Sequence, residues 1–596
     1  MHEAADADAQ QTPEQRIASL EAQLADATRT ITRLRDQYTR ALEKLVLMQR
    51  RLVVTSAERR FETSTDQLEL ELRVTEVAAL KKELDAAEKA AGVAPTDEAP
   101  SKPSATSPSA KKTDGRKKRS TAPTGRRGAE LAELPKIYAP VIDPELEGKA
   151  ERIGFVESYK LGHERGGPRC IVVQIAVYKK PAEVTPQATS PSPPMDTNAS
   201  AGCRIVRARR PLEMIRRGML APSMIAYLLV QKYLMGLPFH RLEQQFARQG
   251  FSLDRGTMAR NSEEIGSMLG FVVDAAREQA IATAFCLSTD ATGVSIQPTP
   301  LDDGRHQPCR KGHFFVTLAD RDHVFFDYQP KHDSLAVWHM FKGYKGYIQA
   351  DAHVIYDAVF RGTPPDGAEE TEAEAAKRAP PPIEVGCWSH ARRHMWEAAV
   401  CRYPLGLEGL RRITALFDAD RPLQDLPPVK RKAQRDKLLR PLVDDFFTWA
   451  KAERAKINSR SRIASALGYV LNQEGALRRF LDDGRLRLEN NGAERALRTI
   501  AVGRKAWLFF GSDDHATAAG NLFSLIASCK LHGLDPETYL ADVIRVFPYW
   551  PAARRLELAP KFWAKTRARL NARELELPVG HISVPAPAAE QQGASG

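Results

Sequence analysis

Apolar residues near the N-terminus recur at alternating steps of three and four. The pattern runs through five uninterrupted heptads and consists of Ile17, Leu20, Leu24, Ala27, Ile31, Leu34, Tyr38, Ala41, Leu45, Met48 and Leu52. A lone helix cannot bury such a stripe, so the spacing predicts a coiled coil through residues 17–52 and therefore a homo-oligomer. A helix packed on its own domain is the alternative.

The pattern changes twice before residue 210. Residues 95–130 are rich in Pro, Ser, Ala and Lys/Arg, with almost nothing to pack, which predicts a disordered basic linker. The stretches "RIGFVESYKL" and "CIVVQIAVYKK" then have the composition of strands and predict a small β module. Cys170 and Cys203 lack CxxC partners, so we do not expect zinc in this module.

A mostly helical block follows from Pro211 to Ala282. Within it, "HRLEQQFARQGFSLDRGTMARNSEEIG" predicts a helix, a break at Gly250 and a second helix capped near Ser252 or Asp254. That shape suits a helix-turn-helix that enters a DNA groove. Two helices packed around a glycine turn also occur in many α domains without that role.

Strand-like runs dominate the next segment. "AFCLSTDATGVSIQ", "GHFFVTLAD" and "HVFFDYQP" predict an antiparallel meander, and the helix "SLAVWHMFKG" leads to a fourth strand in "GYIQADAHVIYDAV". "IEVGCWSHARRH" is predicted as a further strand. This order, with Asp290 in the first strand and Asp351 ending the fourth, is that of the ribonuclease H-like fold, whose first and fourth strands are neighbours. We therefore expect these two acids to meet at one edge of the sheet.

A third acid comes from "ENNGAER", where Asn490 or Asn491 is a good N-cap and Glu494 falls in the first turns of the helix. One alternative is that Glu494 only pairs with Arg498 at the i, i+4 spacing, worth about 0.3–0.5 kcal/mol. Glu489 is a rival third acid.

Three carboxylates suit hard divalent cations, so we expect two Mg²⁺ (or Mn²⁺) ions that promote in-line phosphoryl transfer. Arg495, Arg498, Arg504 and Lys505 follow Glu494 closely and are predicted to contact DNA phosphates.

Composition narrows the class of protein. At 596 residues the chain should form several domains, and 43% hydrophobic against 27% charged residues is typical of globular proteins. A net charge of +12 favours a polyanionic partner. Seven scattered cysteines indicate a reducing compartment. No apolar run approaches the roughly 20 residues of a membrane span, and the N-terminus lacks a signal-peptide core, so we expect a cytoplasmic protein.

From about Leu212 to Trp563 the chain resembles the transposases of insertion sequence family sixty-six, which belong to the DDE class. The motifs that carry the resemblance are "YLLVQKYLMGLPFHRLEQQFARQGFSLDRGTMA", "GYIQADAHVIYD", "VGCWSHARRH", "ENNGAERALRTIAVGRKAWLFFGSDD" and "SLIASCKLHGLDPETYLADVI". The resemblance implies a catalytic triad of Asp290, Asp351 and Glu494 that cleaves and joins DNA strands at the element's ends. It also implies small accessory proteins as partners and a location on the bacterial nucleoid.

The C-x-x-H signature formed by Cys387 and His390 occurs in several DDE transposases, which implies a supporting role near the active site. Two departures from the family stand out. Relatives usually carry a zinc module with paired CxxC motifs, which residues 135–210 lack, and the first-aspartate motif reads "DAT", with Ala291 where Glu is common.

The sequence thus predicts an α/β multidomain protein with a ribonuclease H-like core and an α-helical insertion. The predicted segments are a coiled-coil region (1–94), the linker (95–130), the β module (131–210), the helical block (211–282), the first part of the core (283–394), the insertion (395–485), the completion of the core (486–571) and a disordered tail (572–596). A transposase-derived DNA-binding regulator without catalytic activity, and a junction resolvase, are the alternative functions.

Overall fold

The computed structural model describes residues 134–587 except 165, 182–202, 299–306, 369–379 and 458–459, together with Ala25, Asp26 and Arg29. The predicted coiled coil, apart from those three helical positions, and the predicted linker lie outside the described residues. The described chain is a mixed α/β structure with two sheets. None of its helices in the described ranges is both long and apolar enough to cross a membrane.

Nine strands and fifteen α-helices make up the described part of the chain. The strands are β1 (Lys136–Val141), β2 (Glu151–Glu164), β3 (Gly167–Pro181), β4 (Cys203–Arg207), β5 (Cys286–Ile296), β6 (Arg310–Ala319), β7 (His323–Gln329), β8 (Tyr347–Gln349) and β9 (Ile383–Val385). The helices are α1 (Pro222–Leu229), α2 (Phe239–Arg248), α3 (Arg255–Thr283), α4 (Ser334–Phe341), α5 (Asp357–Arg361), α6 (Trp388–Val400), α7 (Pro404–Asp420), α8 (Pro428–Ala455), α9 (Arg462–Asn472), α10 (Glu474–Arg478), α11 (Asn491–Trp507), α12 (Asp513–Leu531), α13 (Pro536–Val546), α14 (Pro560–Arg567) and α15 (Ala572–Glu576).

The chain divides into two compact units. The first, called here the helical unit, contains Met1–Ser120 and Glu384–Glu489, of which the second range holds nearly all the described residues. The second, called the sheet unit, contains Thr121–Ile383 and Asn490–Gly596. The chain therefore leaves the sheet unit once and returns to it.

The sheet unit begins with a four-stranded sheet. β3 lies between β1, which runs parallel to it, and β2, which runs antiparallel, while β4 pairs with the far end of β3. β2 and β3 contain the two stretches predicted as strands, so those predictions are confirmed. Apolar side chains such as Ile171, Val173 and Ile175 are buried on this sheet.

The helical block has the predicted break. α2 ends at Arg248, Gly250 takes a positive φ of 87°, and α3 starts at Arg255. The carboxylate of Asp254 accepts a hydrogen bond from the Thr257 N–H at 3.0 Å, so it is the capping residue of α3. The helix-turn-helix shape is present, and its insertion into DNA stays a prediction.

The five-stranded sheet carries the two predicted aspartates. Its order is β7-β6-β5-β8-β9, with β5, β6 and β7 antiparallel to one another and β8 parallel to β5. The predicted meander and the fourth strand beside the first are both observed. α12 packs on this sheet closely: a Cβ added to Gly520 would lie 2.5 Å from the Phe326 carbonyl oxygen, so only glycine fits there.

The strand predicted in "IEVGCWSHARRH" is wrong beyond its first residues. β9 ends at Val385, and α6 begins at Trp388. Trp388, Ala391 and Met395 are fully buried at spacings of three and four, so the segment buries one helical face rather than alternate strand positions.

The C-terminal segment also differs from the prediction of a disordered tail after residue 571. α15 occupies Ala572–Glu576, and Val579 and Ile582 are buried. The guanidinium of Arg545 donates to the carbonyl oxygens of Glu574 and Leu575, which fixes this segment on the sheet unit.

The helical unit packs α6–α10 around an aromatic core that includes Trp388, Phe446 and Phe480. It also buries an ion pair. The Arg435 guanidinium donates to both carboxylate oxygens of Asp420, at 2.8 and 3.2 Å, and to the carbonyl oxygens of Phe480 and Leu486, at 3.0 and 2.8 Å. Four of the five N–H donors of this guanidinium thus meet an acceptor.

Candidate active site

Asp290 lies on β5, and Asp351 follows the end of the neighbouring strand β8 in the same register. Cys286 lies opposite Tyr347 in the parallel pairing of β5 with β8, an offset of 61 positions (347 − 286). The two aspartates are separated by the same offset (351 − 290), although Asp351 lies two residues beyond the end of β8. Because paired strands are about 4.7–4.9 Å apart, an equal register brings these two residues to the same edge of the sheet.

The surroundings of the two aspartates agree with that placement. Asp290 Oδ1 accepts from the Ala291 N–H at 2.7 Å, and Asp351 Oδ1 accepts from the His353 N–H at 3.3 Å. Burial raises the pKa of Tyr356 well above its usual value, and the negative charges of Asp351 and Asp290 raise it further. One buried phenol is therefore within electrostatic reach of both carboxylates.

α11 starts beside the same strand. Asn490 occupies the predicted N-cap position, but its side chain makes no capping hydrogen bond. Instead its Nδ2 donates to the carbonyl oxygen of Thr289, the residue before Asp290, at 2.7 Å. Ala493, at the start of the buried face of α11, is fully buried, and Glu494 lies in the first turn. The amide of Asn490 thus fixes the start of the Glu494 helix against β5.

The three acids do not form a ready-made three-ligand group. Within the described ranges, no set of three His, Cys, Asp or Glu side chains is close enough together to hold one metal ion. The structure therefore brings Asp290 and Asp351 to one edge of the sheet and starts the helix of Glu494 beside the strand of Asp290.

The four predicted phosphate-binding residues point in two directions. Arg495, Arg498 and Lys505 are exposed on α11. Arg504 is half-buried, and its guanidinium donates to the Thr292 hydroxyl at 2.9 Å and to the Gly293 carbonyl oxygen. Arg504 therefore holds the far end of α11 on β5, as Asn490 does at the near end.

Cys387, His390 and Glu489 belong to the helical unit. Cys387 is fully buried immediately before α6, and its carbonyl oxygen accepts from the N–H of His390 at 3.2 Å. The carboxylate of Glu489, the rival third acid, accepts from the Ser389 hydroxyl at 3.2 Å.

Sequence reasoning missed a row of imidazoles beside Asp351. The rings of His313 and His332 are 5.1 Å apart, those of His332 and His353 are 5.0 Å apart, and Phe315 stacks on His332 at 5.3 Å. Burial, and then the charges of His313 and His353, lower the pKa of His332. The three histidines come from separate segments, so no spacing in the sequence signals the row.

Comparison with known proteins identifies the family of this chain. The family described as "Transposase IS66 family" matches residues 217–518, and the "IS66 C-terminal element" matches residues 524–560. The first match covers 302 of the 596 residues (518 − 217 + 1), which is just over half. The class of protein is therefore that of the transposases. The chain belongs to the IS66 transposase family, which confirms the resemblance seen in its motifs.

Two relatives from Sinorhizobium fredii are similar to part of the chain. "Uncharacterized protein y4hP" is 29% identical over 383 residues, which are 60% of this chain and 65% of the relative. "Uncharacterized protein y4qI" is 25% identical over 365 residues, again 60% of this chain and 65% of the relative. The chain thus matches just under two thirds of the length of these relatives.

Proposed function

We propose that this protein is a DNA transposase with a ribonuclease H-like core that cleaves and joins strands at the ends of an insertion sequence. The alignment of Asp290 on β5 with Asp351, two residues beyond the end of the parallel neighbour β8, carries the proposal. The sheet order supports it, since three antiparallel strands, a helix and a parallel fourth strand beside the first are the order of that fold. The family match supports the transposition reaction.

The donor set fits hard divalent cations, because it consists of carboxylate oxygens. Asp290 and Asp351 would hold Mg²⁺ or Mn²⁺ at the edge of the sheet, with Glu494 as the third ligand. When two such ions are bound, they favour deprotonation of the attacking oxygen and offset the charge on the leaving oxygen.

The reaction proceeds in two phosphoryl transfers. In the first, a water oxygen attacks the phosphorus in line and gives up a proton, the P–O3′ bond breaks, and the freed 3′ oxygen takes up a proton. In the second, that 3′-hydroxyl oxygen attacks a phosphodiester of a target duplex and loses its proton to water, while the P–O3′ bond of the target strand breaks and its 3′ oxygen takes up a proton. One P–O bond forms as another breaks, so the joining step needs no energy source.

Arg495, Arg498 and Lys505 bind the phosphates of the DNA end, because their side chains are exposed on the helix that carries Glu494. Residues 17–52 join protomers of a homo-oligomer, and small proteins of the same element assist. The reaction takes place on the bacterial nucleoid, with Cys387 and His390 in a supporting role.

The test is strand transfer by the full-length protein in Mg²⁺, with a labelled duplex that carries the DNA flanking the gene and a supercoiled target. Wild-type protein should yield cleaved and joined strands. Asp290→Ala, Asp351→Ala and Glu494→Ala should each reduce both products to background.

Glu489→Ala is the matched control, because it removes a neighbouring acid that is bonded to Ser389. It should keep most of the joining activity. Joining that persists in Asp290→Ala would refute the proposed mechanism, and DNA binding without either product in the wild type would identify a non-catalytic regulator.

A further inference from the structure

The turn after α11 has a strained backbone at an exposed leucine. Leu508 has φ 67° and ψ −50°, and the Phe509 N–H donates to the Trp507 carbonyl oxygen at 2.8 Å. These values define a three-residue γ-turn with positive φ, which is rare and strained for a residue with a side chain. Strain of this kind persists only where the surrounding structure imposes it, and it is concentrated at functional sites.

The surrounding structure does impose this turn. The Phe510 N–H donates to the Ser295 carbonyl oxygen at 2.9 Å, and the Gln297 N–H donates to the Phe510 carbonyl oxygen at 2.8 Å. The Phe510 ring is buried, 4.6 Å from Trp507. The residues on both sides of Leu508 are therefore fixed to the end of β5.

Leu508 and Phe509 nevertheless point outward. The two residues are 63% and 41% exposed. Glycine would adopt the backbone conformation of Leu508 without strain. Because both residues are exposed, burial of their side chains contributes little to stability, so the fold gains little from either apolar side chain. We name this pair the Leu508–Phe509 tip.

The tip continues a basic helix face. Arg495, Arg498, Val502 and Lys505 are exposed at steps of three, four and three, which places them on one side of α11, and the tip follows at the end of that helix. The charge along this face is positive, which fits a polyanion rather than an apolar protein surface. An apolar pair at the end of a row of cations matches duplex DNA, whose phosphates flank its stacked bases.

Two independent paths give the same distance from the acids to the tip. Along α11, the 13 residues from Glu494 to Trp507 (507 − 494) rise about 20 Å. Along β5, the six residues from Asp290 to Ile296 (296 − 290), where Phe510 pairs, also span about 20 Å. A duplex with one phosphate per 3.4 Å of each strand advances about six base pairs over that length.

We propose that the Leu508–Phe509 tip inserts into the DNA end and unstacks a base step about six base pairs from the phosphate that is cut. The inference rests on the proposed function, since it takes the same duplex to lie along α11 with its scissile phosphate at the acids. The basic face holds the backbone, and the tip fixes which base step lies at the far end of α11.

The experiment measures binding of the full-length protein to a duplex that carries the DNA flanking the gene, with Ca²⁺ in place of Mg²⁺ to prevent strand chemistry. 2-Aminopurine, which brightens when it unstacks, replaces one base at a time. Wild-type protein should brighten the probe at one step. Leu508→Ala/Phe509→Ala should remove that signal and weaken binding about 10-fold, because base–aromatic stacking is lost.

Salt dependence separates the tip from the basic face. The tip variant removes no cation, so the slope of log affinity against log salt should stay unchanged, whereas Lys505→Ala should reduce it by about 1. Leu508→Gly removes the side chain but allows the same turn without strain. If this variant binds DNA more weakly while its Tm is unchanged or higher, the loss of affinity comes from the missing side chain and not from a disturbed fold.

The matched control is Phe271→Ala/Leu531→Ala, which removes an exposed phenylalanine and an exposed leucine elsewhere in the sheet unit. Equal affinity and equal brightening in the tip variant and this control would overturn the inference, as would a change in self-association without a change in DNA binding. The readout is binding and does not require strand transfer. If the protein fails to transfer strands but still gives a tip-dependent signal, the proposed reaction is refuted and the inference about the tip stands.

Discussion

The helical unit and the sheet unit use their interior carboxylates in opposite ways. Asp420 is 3% exposed, and Arg435 donates to both of its oxygens from within the same core. Asp290 and Asp351 are half-buried at the edge of a sheet, where they accept from backbone N–H groups of their own segments. The carboxylate of Asp420 is enclosed by its counter-charge, whereas those of Asp290 and Asp351 stay within reach of solvent.

Asp420→Asn should give the largest loss of stability. Removing the carboxylate leaves the buried guanidinium of Arg435 without its counter-charge, so the free energy of unfolding should fall by about 3–5 kcal/mol. The urea midpoint, followed by tryptophan fluorescence, measures the change. The double variant Asp420→Leu/Arg435→Met should recover most of the loss, and a loss below about 1 kcal/mol in the single variant would contradict the comparison.

His323 should make the stability of the sheet unit sensitive to acid. Burial lowers the pKa of His323 to about 4, from an ordinary 6.5, and its Nε2 bonds to Gln279 at 3.1 Å. Because the unfolded chain binds the proton first, stability is complete above pH 6.5 and falls as the pH drops toward 4. The 2.5 units (6.5 − 4) correspond to about 3 kcal/mol.

His323→Gln is the control for that acid sensitivity. It keeps a side chain that bonds to Gln279 but does not titrate, so its urea midpoint should fall less between pH 6.5 and 4. Parallel pH curves for both proteins would show that His323 is not responsible.

Asn490→Ala should have a smaller effect that reaches the candidate site. It leaves the buried carbonyl oxygen of Thr289 without its amide donor, which should cost about 1–3 kcal/mol. Strand transfer should fall as well, since the start of α11 is no longer fixed beside Asp290. Ser461→Ala, which removes a capping hydroxyl in the helical unit, is the control that should lower stability but not strand transfer.

Asp351→Asn should leave stability nearly unchanged, within about 0.5 kcal/mol, while it abolishes strand transfer. The reason is that the carboxylate is half-buried and accepts a long hydrogen bond, at 3.3 Å, from the His353 N–H. Thermal unfolding of the variant measures the effect. A destabilisation as large as that of Asp420→Asn would mean that Asp351 serves the fold.

Local patterns predicted the elements well where composition and turn signals agreed. Apolar and β-branched runs identified β5, β6 and β7, and the glycine break followed by a cap at Ser252 or Asp254 identified the start of α3. The segment after Val385 was wrongly predicted as a strand. Its short apolar start resembles a strand, but its buried positions follow a helical period.

Tertiary partners were not predictable in the same way. Asn490 looks like a capping residue, yet its amide bonds to Thr289, 201 positions away, and no local rule selects that partner. Asp420 and Arg435 are 15 positions apart with nothing between them that marks a pair. The turn at Leu508 carries none of the glycine or asparagine that usually announces a positive φ.

The chain leaves the sheet unit after Ile383, whose N–H bonds to the Gly346 carbonyl oxygen beside β8, and returns at Asn490, whose side-chain amide bonds to β5. Ile383 begins β9, and only β8 lies between β9 and β5 in the sheet. The 106 intervening residues (489 − 384 + 1) are thus inserted into the sequence of the sheet unit. Evolution can lengthen, shorten or exchange such an insertion while the strand connectivity of the sheet unit stays the same.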